Sequence, residues 1–142
     1  MTLEVEIENR SGWRVDERAA AAVVRAALEA EGVTDGEVGL ALVGAAEMAD
    51  LNAGHRGVDR PTDVLSFPLD GDEPLPAGLP RQLGDLVVCP QVAADAGTPI
   101  ELLLVHGALH LIGYDHETDD GRMLARQDTL IEEVERVAAS PA

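Results

Sequence analysis

Three of the chain's four histidines fall within the run His106-Gly-Ala-Leu-His110-Leu-Ile-Gly-Tyr-Asp-His116. The four-residue spacing of His106 and His110, in a stretch with helical character, puts both on one helix face, about 6 Å apart along the axis. Gly113 is a favoured helix stop, beyond which the chain can curl back and present His116. Three imidazoles so arranged can hold one transition-metal ion from three sides and leave a fourth position open, the pattern of a catalytic metal site rather than a structural one. Zn²⁺, one ion, is the leading candidate; Ni²⁺ and Fe²⁺ suit the same donors. A single histidine is usually an ordinary core or surface side chain. The joint spacing across a helix stop is what points to metal.

One absence is informative. A zinc protease helix carries His-Glu-x-x-His, with the glutamate as general base. Here Gly107 follows His106 and cannot move a proton. Glycine inside a helix costs about 1 kcal/mol relative to alanine, so the close approach of another backbone or of a substrate is expected there. Peptide hydrolysis is disfavoured.

The elements that must position these histidines follow from pattern. Leu3 to Asn9 alternates apolar and acidic residues as a half-buried strand does. Asp16 to Glu31 is an Ala-rich helix stopped by Gly32, and Glu37 to Val43 a second strand. A short helix is expected from Gly44 to about Ala53, then a strand over Asp63–Phe67 closed by Pro68. Asp70 to Arg81, rich in proline, glycine and acids, reads as a loop and the most mobile segment. Leu83 to Cys89 is the fourth strand, with a short helix after Pro90 to about Ala96. Ile100 to Ile112 is the histidine helix, with Pro99 at its start. A last helix is expected from Thr118, its cap, to Val137, followed by a frayed tail. The order β-α-β-α-β-β-α-α-α predicts an α+β fold: a single domain over residues 1–142, with a mixed sheet of about four strands, about five helices and a zincin-like metal-site helix.

Composition narrows the partners. At 142 residues the chain can bury a real core, and 46% hydrophobic residues with a mean hydropathy near zero fit a globular protein. Only 2% are aromatic, which argues against an RNA module built on base stacking. All ten basic residues are arginine and the formal charge is −17, so long-range attraction to phosphate is weak. Such a charge is ordinarily a solubility bias over exposed faces, and it leaves room for a local positive cleft. Cys89 is alone, in apolar surroundings, which excludes an intrachain disulfide and reads as a small buried hydrophobe. With no basic-then-apolar leader and no apolar run of about 18 residues, the expectation is a cytoplasmic protein without membrane contact.

The motif His106-Gly-x-Leu-His-Leu-x-Gly-Tyr-Asp-His116 resembles the signature of the YbeY family of bacterial endoribonucleases. A second block, from Leu51-Asn52 through Arg56, Asp59, Pro61-Thr62-Asp63, Ser66-Phe67 and Pro68, resembles that family's N-x-x-x-R-x-x-D-x-P-T-D-V-L-S-F-P segment. Gly84-Asp85-Leu86 resembles its G-D-I strand. The resemblance implies a compact α+β fold with a zinc site carried by His106, His110 and His116, and a functionally important arginine at Arg56. It also implies action on single-stranded RNA in maturation of the small-subunit rRNA 3′ end and in ribosome quality control. The partners implied are the small ribosomal subunit, one of its proteins and an rRNA-binding GTPase. Two positions depart from the family pattern: His55 replaces an aromatic or apolar residue, and Val58 replaces a common lysine.

Roles follow from chemistry. Phosphodiester cleavage needs positive charge where the transition state gains negative charge, and the bidentate guanidinium of Arg56 suits that task. Arg60, Arg81 and Arg122 are weaker candidates for backbone contacts, with a solvated role the ordinary alternative. Thr62 and Asp63 either brace a turn or orient a histidine, and Asp85, Asp115 and Glu117 pose the same choice. Ser66 reads as structural, His55 as a surface residue near the cleft with a fourth-ligand role the sharper option, and Tyr114 as a packing or stacking residue. The general base is left open. Two other functions compete: a ribosome-assembly factor with a structural metal and little hydrolase activity, and a metallohydrolase acting on another substrate.

Overall fold

A computed structural model describes residues 2–70, 75–76, 78–114 and 121–139, with side chains through Glu133 in the last helix. The elements run β1 (Leu3–Asn9), α1 (Glu17–Ala30), β2 (Gly36–Leu42), α2 (Ala45–Arg56), β3 (Val64–Pro68), β4 (Gln82–Val88), α3 (Pro90–Ala96), α4 (Ile100–Leu111) and α5 (Arg122–Ala139). The order matches the expected alternation, and the fold is α+β.

The sheet is mixed, in the order β1-β2-β4-β3. β1 and β2 pair in parallel, as do β2 and β4, while β3 runs antiparallel to β4 at the edge. Pro68 belongs to β3 and pairs with Gly84, which an edge strand tolerates because proline has no N–H to offer the ladder. Gly84 is required there. Its φ is +137°, and a Cβ would run into the Phe67 carbonyl and approach Leu111 to 2.9 Å.

The main core lies between one face of the sheet and helices α1, α4 and α5, with Leu28, Leu40, Leu86, Leu104, Leu109, Met123 and Leu130 almost fully buried. A smaller cluster, Val43, Met48, Leu65, Val87 and Cys89, fills the opposite face beneath α2. Cys89 is buried, as its apolar neighbours indicate. α4 is buried on nearly every side, which explains its lack of a polar stripe; of its middle and last turns, only His106 and His110 are partly exposed. No single helix among the described residues is long and apolar enough to cross a membrane.

Pro68, expected to close the third strand, is instead its last residue, and two helix boundaries also differ from the sequence pattern. α2 runs three residues past Ala53, because Gly57, left-handed at φ 72°, is the residue that ends it. His55 and Arg56 therefore sit in the last helical turn rather than in a loop. α5 begins at Arg122, after Gly121 at φ 87°, so the helix starts later than expected. The expected cap Thr118 and the end of the tail lie outside the described residues.

Candidate metal and phosphate site

α4 crosses the sheet at Gly107. A Cβ there would meet Leu86 Cδ2 at 2.7 Å, with Ser66 Oγ and Val64 Cγ2 at 3.4 Å. The close approach expected at this glycine is therefore made by side chains of β3 and β4, not by another backbone. Ser66 donates its hydroxyl to the Gly107 carbonyl at 3.2 Å, which accounts for it as structural. This tight seat holds the helix against the sheet, so that His106 and His110, one turn apart, open onto a cleft of about 480 Å³.

Arg56, from the end of α2, lines the same cleft, together with His55, Thr62, Asp63 and Ser66. The two sequence blocks that carry the candidate chemistry thus meet in space. Arg56 is exposed and has no hydrogen-bonding or ionic partner among the described residues. Asn52, buried one turn earlier in α2, donates from Nδ2 to the Arg60 carbonyl at 2.9 Å and ties down the loop that follows Arg56.

The two imidazoles are set edge to face, with centroids 4.7 Å apart. His110 Nδ1 is 2.9 Å from the Tyr114 carbonyl, an obligate acceptor, so Nδ1 carries the proton. His106 Nδ1 is 2.8 Å from Gln127 Oε1, likewise an acceptor. In both rings the neutral tautomer then has its lone pair on Nε2. Fixing one ring nitrogen through an outer partner is how metal-binding histidines are ordinarily oriented. The donor set fits a divalent transition metal. Among the described residues no three His, Cys, Asp or Glu side chains gather into a complete ligand set, and His116, the third ligand indicated by spacing, lies outside them.

The other sequence candidates separate. Asp63 Oδ1 accepts from the Val64 amide at 2.8 Å, a local brace. Asp85 pairs opposite Phe67, on the sheet face turned away from α4, and does not line the cleft. Asp115 and Glu117 lie outside the described residues. His55 stacks obliquely on Phe67, with centroids 4.3 Å apart. Arg81 lines an adjoining hollow that also reaches His110, whereas Arg60 and Arg122 line neither. Tyr114 packs against the main core and turns its hydroxyl toward Glu31; burial first, then the Glu31 charge, raises its phenol above the usual range.

Residue types point to carboxylates behind the histidines, whereas the partners are Gln127 and the Tyr114 carbonyl. Gln127 had a signal: it is a polar residue on the apolar stripe of α5, between Met123 and Leu130, and it is only 8% exposed. A backbone carbonyl leaves no trace in residue type.

These features define a class: an α+β domain with a mixed sheet, in which a buried helix delivers an oriented imidazole pair into a cleft shared with an exposed arginine. The family model for endoribonuclease YbeY matches residues 6–135. An endoribonuclease YbeY from Salinispora tropica is 41% identical, with 91% of this chain and 94% of that protein covered. One from Mycobacterium ulcerans is 40% identical, covering 92% and 83%. A solution structure of a Thermotoga maritima protein superposes with a TM-score of 0.58 at 31% identity, covering 92% of this chain and 88% of that one. The chain belongs to the endoribonuclease YbeY family, and membership carries an endoribonuclease role, that of a nuclease hydrolase.

Proposed function

We propose that this protein is a zinc-dependent, single-strand-specific endoribonuclease that matures the 3′ end of small-subunit rRNA and takes part in ribosome quality control in the cytoplasm. One observation supports the reading above all others: two imidazoles, each oriented through Nδ1 by an outer acceptor, line the same cleft as the Arg56 guanidinium. His106 and His110, completed by His116, would hold Zn²⁺. A bound ion of this kind supplies Lewis acidity toward a phosphoryl oxygen and activation of water. Arg56 grips the scissile phosphate through two parallel N–H donors and offsets the negative charge that grows there. Thr62 and the edge strand β3 form the wall along which the RNA backbone runs.

The formal charge of −17 bears on the setting. With no lysine and few arginines near the cleft, affinity for free RNA is low, and its salt dependence is shallow because few phosphates are neutralised. The substrate is then met within a ribosomal particle, where a small-subunit protein and an rRNA-binding GTPase are the expected partners. The test is cleavage of a single-stranded rRNA fragment by purified protein. Activity is expected to vanish with chelator, to return with Zn²⁺, and to be absent in His110→Ala. Cleavage that survives both treatments would overturn the reading, and particle binding without any cleavage would favour an assembly factor with a structural metal.

A further inference from the structure

We infer that Glu31 is a positioning residue for the imidazole pair, acting through Arg126 and Tyr114 on the two groups that orient His106 and His110. The inference rests on the metal-site reading above. Glu31 is the C-cap of α1, 83 residues from Tyr114 and 95 from Arg126. One of its oxygens, Oε1, accepts Arg126 Nε at 2.6 Å and faces the Tyr114 hydroxyl in a longer contact of 3.4 Å. Arg126 also reaches the Ala30 carbonyl at the end of α1, at 3.3 Å. Its neighbour in α5 is Gln127, the acceptor for His106 Nδ1, and Tyr114 supplies the carbonyl that accepts from His110 Nδ1. Tyr114 and the turn of α5 that carries Gln127 therefore meet at one carboxylate.

Local energetics make this choice of residue informative. A negative side chain at a helix C-terminus opposes the helix dipole and is locally unfavourable. Nothing within α1 calls for an acid there. The side chain is only 14% exposed and its ion pair with Arg126 joins α1 to α5, so its role is long-range. A ligand set tolerates displacements of only about 0.2 Å, which makes the seating of α5 and of the Tyr114 backbone matter for metal affinity. The Arg126 arm, the shorter of the two, carries most of the effect.

The experiment measures Zn²⁺ affinity by competition with a chromophoric chelator, alongside thermal melting of the metal-free protein. Glu31→Leu and Arg126→Leu are each expected to weaken Zn²⁺ binding about tenfold, as loss of an outer partner does, and no further when combined, because they break one brace. Tyr114→Phe should weaken it less. Glu31→Gln, which keeps an acceptor oxygen and avoids the risk of misfolding, should recover most of the affinity. Glu47→Gln, which breaks an ion pair remote from the cleft, should leave it unchanged. If Glu31→Leu, Arg126→Leu and Tyr114→Phe all bind within about twofold of wild type while only their melting temperatures fall, Glu31 is a structural residue and the inference is wrong. A wild type that takes up no zinc would sink the metal reading and this inference together; a wild type that binds beside variants that bind equally well sinks this inference alone.

Discussion

Two ion pairs close at the same distance and do different work. Arg10 Nη2 meets Glu47 Oε2 at 2.6 Å, and Arg126 Nε meets Glu31 Oε1 at 2.6 Å. The first ties the end of β1 to the first turn of α2, with both side chains about 40% exposed. The second is 29% and 14% exposed and joins α1 to α5 behind the imidazole pair. Water screens the first and lets its side chains find other partners, so its loss moves little else. The second sits where two outer partners of the histidines converge. Distance alone does not rank ion pairs; burial and connection do.

That contrast divides the molecule into a sensitive face, on the α4 side of the sheet, and a tolerant one. The largest expected effect is that of His110→Ala, which should reduce RNA cleavage to background and deplete the purified protein of zinc. A fully active variant would remove the sensitive face altogether. Arg56→Ala comes next, with kcat expected to fall on the order of 10²–10³ while the melting temperature holds. Arg56→Lys should recover only part of the loss, since a point charge does not reproduce the bidentate grip. Gly84→Ala tests the scaffold of that face. A Cβ at φ +137° against a backbone carbonyl should cost about 2–3 kcal/mol by urea denaturation, and a neutral result would contradict the β3–β4 register.

The smallest effect belongs to the tolerant face. The hydrogen bond from Arg10 holds the Glu47 carboxyl below its ordinary value of 4.5, outweighing desolvation. A carboxyl depressed in the folded state contributes stability above its unfolded pKa and loses it as pH falls through the folded one. The Arg10–Glu47 pair should therefore weaken only in acid, below about pH 4.5. Arg10→Ala should return the Glu47 carboxyl toward the ordinary range in an NMR titration, with RNA cleavage unchanged. A clear loss of cleavage would mean that the two faces are not as different as their burial suggests.

Elements were legible where local physics decides them. The alternation of β1, the Gly32 stop of α1 and the Gly113 stop of α4 all emerge as the pattern indicates, while Asp16, expected inside α1, is its cap and accepts the Ala19 amide at 3.0 Å. The weak apolar periodicity of α2 hides its last turn, whereas its end is set by the left-handed backbone at Gly57. The helical spacing of His106 and His110 was fully legible. A glycine inside a helix signals a contact point at Gly107, but nothing in the local pattern identifies Leu86 as the contacting group.

What the linear chain determined by itself is the supply of chemistry and its spacing along α4, because helical periodicity is a property of a few consecutive residues. Packing alone decided that the end of α2 brings Arg56 to the histidine cleft, that Gln127 and the Tyr114 carbonyl orient the two rings, and that Glu31 ties them together. Those relations join residues 21 to 95 positions apart, or a main-chain oxygen that every residue possesses. A hydrogen bond between distant elements depends on how their apolar faces settle against a shared sheet, and no local pattern encodes that.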